Sequence, residues 1–156
     1  MEIGENYEGG IVFYTWDEGT HGLIAHPTDA IFPHKKWEWG CYGVFISASG
    51  TSIGDGKLNT TLMYDNCGES SAAYYCSGLT TDGYTDWFLP SKDELEQLYL
   101  QNEIVGGFRN GNYYWSSSED NENNAWLHYF TTDTVLDKQR SLGKNGSCYI
   151  RAIRQF

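Results

Sequence analysis

An α+β chain of short strands, short helices and many turns is what this sequence predicts, and three observations carry the prediction. Glycine occurs 18 times beside 12 Tyr and 6 Trp in 156 residues, a mixture that favours pleated surfaces broken by turns over long helices. The stretch YTDWFLPSKDEL, Tyr84 to Leu95, reads as an aromatic strand that stops at Pro90 and opens a helix at Ser91. Beyond Asn102 short aromatic runs alternate with polar stretches, so a strand-and-loop half is laid on a more helical half. At this length one domain, residues 1–156, is expected.

In chain order, Ile11–Tyr14 and Leu23–Ala25 are β-type runs around Asp17-Glu18-Gly19, which suits a hairpin turn. Trp37 and Trp39 alternate about Glu38 with the period of a half-buried strand. Gly40–Gly56 is rich in Gly and Ser and reads as a long connection. Asn59–Tyr64 and Ser71–Cys76 predict two short helices around Cys67. In the central helix Ser91 caps the N-terminus and Glu94 completes a capping box. Leu95, Leu98 and Tyr99 then form one buried stripe. Tyr113–Trp115, Trp126–Phe130 and Tyr149–Phe156 are strand-like. SSSEDNENN is too polar for a strand interior, and Thr131–Ser147 shows no periodicity.

The net charge of −11 argues against nucleic acid and anionic membrane surfaces, which need clustered cations. A local basic patch is possible near the C-terminus, from Lys138, Arg140, Lys144, Arg151 and Arg154. No apolar run approaches the ~20 residues of a membrane span, so direct membrane insertion is not expected. The acidic start MEIGENYEGG lacks the apolar core of a signal peptide. It is read as the beginning of a piece excised from a longer protein. Cys41, Cys67, Cys76 and Cys148 match no zinc spacing. Cys67 and Cys76 flank a short loop and are the disulfide candidate for an oxidising compartment, with reduced thiols as the alternative. Cys41 and Cys148 are left to pair with each other or stay free.

GGIVFYTWDEGTHGLIAHPTD, WGCYG, DGYTDWFLPSKDELEQLY, YYWSSSE, NNAWLHYF and RAIRQF occur in an order that resembles the DUF1566 family, also known as the Lcl C-terminal or Fibrobacter major paralogous domain. The resemblance implies a C-type-lectin-like fold with two helices, a small antiparallel sheet and long loops on one face. It implies a binding role in a bacterial surface adhesin or phage tail fibre, at the cell surface or on a virion, as part of a larger protein. Some members of such families are hypervariable proteins diversified by retroelements between a YWSSSE-like motif and the terminal RAIRQF, and both borders are present here.

Physically, loops held between rigid strands vary without harming a core. Trp115, Trp126, Phe130, Ile150 and Ile153 are expected as buried struts. The ligand-binding candidates between and around them are Asp120, Leu127, His128, Tyr129, Thr131, Thr132, Thr134, Leu136, Asp137, Arg140, Ser141, Leu142 and Tyr149. Tyr supplies contact area at low entropy cost, while Ser, Thr and Asp supply adaptable hydrogen bonds. The expected partner is a cell-surface protein or glycan receptor, with a homotrimer as the assembly that a fibre tip would adopt.

Catalytic and metal chemistry find little support. His21, His26, His34 and His128 lie in separate segments with no ligand spacing, and Ser116–Ser118 is no nucleophile elbow. Asp82 with Asp86, or Asp120 with Glu122 and the neighbouring Asn residues, are oxygen sets that could ligate calcium. The Glu-Pro-Asn or Gln-Pro-Asp motif of calcium-dependent lectins is absent, because the three prolines follow His26, Phe32 and Leu89. The reading is therefore a non-enzymatic recognition domain with no cofactor and no metal. Its rivals are an enzyme of the formylglycine-generating type, which uses a cysteine pair, and a structural module of a fibre or pilus.

Overall fold

The structure, a computed structural model, describes residues 1–31, 33–135 and 137–156. The first half contains strands β1 (Asn6–Tyr7), β2 (Gly10–Trp16), β3 (His21–Ala25) and β4 (Trp37–Glu38), then helices α1 (Gly56–Cys67), α2 (Ala72–Gly78), α3 (Lys92–Leu100) and α4 (Asn102–Val105). Strands β5 (Asn112–Glu119), β6 (Asn124–Phe130), β7 (Gln139–Gly143), β8 (Ser147–Cys148) and β9 (Ile153–Gln155) follow. The hairpin of β2 and β3 turns through Asp17, Glu18 and Gly19, all at positive φ.

Three antiparallel sheets result, ordered β1-β2-β3-β9, β4-β8 and β5-β6-β7. Successive residues of a strand face opposite ways, and here both directions are dry. Val12, Ile24, Trp115, Leu89 and Ile150 join one buried cluster with Trp37, Trp39 and Met63. Their chain neighbours Phe13, Leu23, Tyr114 and Phe88 join a second with Ile153, Leu95 and Leu98. Burial on both faces explains why IVFY and LIA are unbroken apolar runs. Each fully buried large side chain contributes roughly 1.5–3 kcal/mol.

The capping box at α3 forms as its sequence demands: Ser91 Oγ accepts from the Glu94 amide, and the Glu94 carboxylate accepts from the Ser91 amide. Residues 84–90 instead depart from the expected strand. They are buried at Trp87–Leu89, but form isolated bridges, Tyr84 with Thr81 and Phe88 with Ile153, in place of a strand. The SSSE stretch, expected to lie outside any strand, is the buried end of β5. A five-residue strand, β7, also interrupts the aperiodic 131–147 interval.

The disulfide joins Cys41 to Cys67, while Cys76 and Cys148 are free and buried. The expected Cys67–Cys76 bridge is thus corrected. Cys67 ends α1 beside the 40–46 loop, whereas Cys76 faces the first core from α2. Gly40 permits this approach: it sits at φ +101°, and a Cβ there would lie 2.9 Å from the Cβ atoms of Cys67 and Ser71.

Candidate functional site

The motifs that marked the family resemblance meet one another in space, and what they do there is hold loops. Glu119 of YWSSSE is completely buried with Lys144, at 2.5 Å. Its carboxylate accepts from the Ile46 amide at 2.9 Å, and the Lys144 ammonium donates to the Val44 carbonyl at 2.8 Å. Ser118 Oγ donates to the Gly50 carbonyl, the Glu119 amide to Ala48, the Asp93 amide to Thr51 and Ser91 Oγ to Ser52. Glu94 also accepts from the Gly54 amide at 2.8 Å. The serines are therefore tolerated in a buried strand because their hydroxyls and amides satisfy loop peptide groups. Ser117 Oγ alone, among the described buried side-chain polar atoms, has no partner.

The terminal RAIRQF is structural in the same sense. The Arg151 guanidinium is fully buried, donating to Asp29 at 2.8 Å and to the carbonyls of His26, Gly106 and Gly107. It also lies 4.0 Å over the Phe108 ring. Arg154 pairs with Asp86 of the DWFLP stretch and with Glu8, both at 2.7 Å. Lys144, Arg151 and Arg154 thus leave the expected basic patch and become internal ion pairs.

The third sheet carries the binding candidates. Its register sets Tyr113 opposite Tyr129 and Leu127 opposite Arg140, so Tyr113, Tyr129 and Arg140 share one face. The two phenol rings are 4.9 Å apart, with the Arg140 guanidinium 5.1 Å from the Tyr129 centroid. Arg140 Nε donates to the Asp137 carbonyl at 2.8 Å, which holds the guanidinium over the rings. Asp120, Thr132, Thr134, Asp137, Ser141 and Leu142 are exposed. Asp120 accepts from Ser141 at 2.8 Å. Tyr149 is half-buried on the other side of β5, with Lys36 and Arg109 over its ring.

Three candidates do not reach the surface. Leu127 belongs to the first core, His128 is 1 % exposed and Thr131 is 4 % exposed. His128 points at α3, where its Nε2 meets Glu96 at 2.6 Å and its ring stacks 4.4 Å from Tyr99. Burial depresses its pKa below the ordinary value, against the pull of Glu96. Leu136 lies outside the described residues. Trp126, expected as a buried strut, is half-exposed under the Lys92 ammonium, 3.7 Å from the ring centroid. With Glu96, Tyr99, Asp137 and Gln139 these two line a groove of about 560 Å³ between α3 and the third sheet.

Nothing here resembles a thiol catalyst. Burial pushes the Cys148 thiol up to about 12, and Cys76 higher still, so both stay protonated and inert. Asp86 is occupied by Arg154, and among the described residues no three His, Cys, Asp or Glu side chains converge on one point. A feature that periodicity did not reveal is an aromatic cleft of about 480 Å³ beside α2, lined by His34, Trp37, Tyr74, Tyr75 and Leu79. Its walls come from two distant segments, and only the paired tyrosines hinted at it.

The described elements define the class: an α+β protein with four helices and small antiparallel sheets. The model of the Lcl C-terminal domain matches residues 28–154, and the chain belongs to that family. A fimbrial protein from Bacteroides ovatus ATCC 8483, known from a crystal structure, is similar in fold, with a TM-score of 0.51 and 14 % identity. The match covers 85 % of this chain and 35 % of the fimbrial chain, so the chain spans about a third of that protein's length. No curated protein matches the chain.

Proposed function

We propose that this is a non-catalytic recognition module of a larger surface protein, with a C-type-lectin-like fold, binding a protein or glycan receptor through the exposed residues of β5, β6 and β7. One observation carries the reading: YWSSSE, DWFLPSKDEL and RAIRQF are committed to ion pairs and loop anchors, while Tyr113, Tyr129, Arg140, Ser141 and Leu142 stand outside both cores. A rigid Tyr-Tyr-Arg cluster is the composition of interface hot spots. The Cys41–Cys67 bridge fits an oxidising compartment and hence an exported protein. Retroelement diversification of the same positions would be compatible with the cores, since none of these five residues belongs to one.

The test replaces Tyr113, Tyr129, Arg140 and Ser141 together and measures melting and binding to arrayed cell-surface glycans and whole bacterial cells. Melting should stay within a few degrees while a binding signal seen for the native protein disappears. Retained binding, or loss of the fold, sinks the reading. A near-copy of the codons for Tyr113–Phe156 beside a reverse transcriptase would establish diversification. The likeness to a fimbrial protein favours one second reading, a structural module of a fimbria. In that case the four-residue variant would leave assembly of the full-length protein intact.

A further inference from the structure

The aromatic cleft beside α2 is walled by parts that are already fixed to one another. Trp37, only 3 % exposed, lies at its base, and the indole Nε1 donates to the His34 carbonyl at 3.1 Å. Tyr74 and Tyr75 come from α2, whose start is tied to β4 by the bridge between Ser71 and Glu38. Ala72, Ala73 and Cys76 of the same helix pack in the first core with Trp37. The Trp37 ring lies 5.7 Å from that of Tyr75 and 5.0 Å from that of His34, at interplanar angles of 48° and 76°. Tyr74 stacks on Tyr64 at 5.9 Å, which steadies its ring. Inclined rings held from behind form a wall that a ligand need not organise on binding.

The charge at this cleft has one sign. Exposed Glu69 belongs to the lining, which among the described residues contains no lysine or arginine. Among those residues Glu69 also takes part in no ion pair. Lys35 and Lys36 lie outside the lining, and Lys36 stands over the Tyr149 ring at 5.2 Å. A net charge of −11 adds to the attraction for a cation. Aromatic faces are the negative side of the ring quadrupole, so Trp and Tyr walls favour a cation as well. The lining is nonetheless mostly apolar, and an ordinary ammonium or guanidinium buried there leaves N–H donors short of acceptors. A quaternary ammonium has no N–H to satisfy. Its methyl groups gain from the apolar contact that Pro33 and Leu79 offer, and about 480 Å³ gives it ample room.

We propose that this cleft binds a quaternary ammonium group of the choline type, with Trp37, Tyr74 and Tyr75 around the methyl groups and Glu69 as the counter-charge. Titration of the isotope-labelled native protein with choline chloride tests this by NMR, read at the Trp37 indole N–H and the amides of Leu79 and Thr80. Those resonances should shift saturably, while potassium chloride at equal ionic strength leaves them in place. The neutral analogue of choline, in which a tert-butyl group replaces trimethylammonium, keeps the shape without the charge. It should bind about tenfold more weakly or worse. Glu69→Gln and Tyr74→Ala alter exposed side chains, so melting should stay close to native while choline binding weakens roughly two- to fivefold. Phosphatidylcholine vesicles identify the source of the group. Co-sedimentation that choline competes away assigns a lipid headgroup, and choline binding without co-sedimentation assigns a free solute. Absence of a saturable shift, the same shifts from potassium chloride, equal binding of the neutral analogue, or variants that bind choline as the native protein does each overturns the proposal. Receptor binding by β5–β7 is read separately on glycan arrays and cells, so either idea fails without the other.

Discussion

Replacing Glu119 by Gln is expected to be among the most damaging isosteric changes in the molecule. The substitution keeps shape and an acceptor for the Ile46 amide, but leaves the Lys144 ammonium without its counter-charge at a site where both side chains are 0 % exposed. Removing one member of a buried pair costs about 3–5 kcal/mol, because the remaining charge is desolvated and uncompensated. For a chain of this size each kcal/mol moves the melting temperature by roughly 2–4 °C, so the loss should be roughly 6–20 °C. The companion variant Glu119→Gln/Lys144→Met removes both charges and should recover most of that loss, since Met fills the Lys stem's place over Trp39. Urea and thermal melts of the native, single and double proteins form a double-mutant cycle, and amide exchange at Val44–Ile46 reports the loop locally. A single variant that melts within about 2 °C of the native protein, or a double variant no more stable than the single, refutes the reasoning.

Other expectations follow from the same geometry. Non-reducing peptide mapping should find Cys41 linked to Cys67, with Cys76 and Cys148 unreactive to alkylation until the protein unfolds; a Cys67–Cys76 peptide contradicts the structure. Cys41→Ser should cost about 3–4 kcal/mol from the entropy of a loop closed over a separation of 26 residues, read by urea denaturation, and no loss would mean the bridge does not form. Burial holds His26 and His128 below 6.5 in the folded chain, so the unfolded chain binds protons first on acidification. Stability should therefore be full above about pH 7 and fall towards about pH 5, and His128→Gln should flatten that fall; an unchanged pH profile would show that His128 is not the group responsible. Ser91→Ala removes both the cap of α3 and the bond to the Ser52 carbonyl, and should cost about 1–2 kcal/mol in a thermal melt. A loss below half of that removes the cap's assigned role.

Local chemistry made part of the architecture legible. The Ser91–Glu94 box and the Ile11–Ala25 hairpin are each specified within a few residues, and both form. The two helices around Cys67 also form, extended by a few residues at their ends. What stayed hidden depends on distant partners. Ser116–Ser118 looked too polar for a buried strand, because the peptide groups that satisfy them lie in residues 48–52 and at Lys92, Pro90 and Trp126. Lys144, Arg151 and Arg154 looked like a surface patch because Glu119, Asp29, Asp86 and Glu8 are remote in sequence. Nearness along the chain suggested Cys67–Cys76, while folding brings Cys41 across. At the candidate face, position along the strand decided exposure as much as parity. Leu127 and Tyr129 share a face of β6, but Leu127 sits opposite Trp115 in the first core while Tyr129 pairs with exposed Tyr113, and His128 on the other face turns towards α3.

Besides the packing of Ile46, Ala48 and Ile53 against the cores, the segment from Ile46 to Gly54 is gripped by its peptide groups: the fixed partners reach the carbonyls of Ala48, Gly50, Thr51 and Ser52 and the amides of Ile46 and Gly54. Its conformation is consequently indifferent to much of its own lettering. Ser49 and Ser52 project into solvent and can drift to almost any residue without loosening the hold, whereas Ala48 is sealed inside and Ser47, at φ +64°, would resist β-branched replacements. Evolution thus has a stretch here on which new surface chemistry can be written while the architecture beneath stays put.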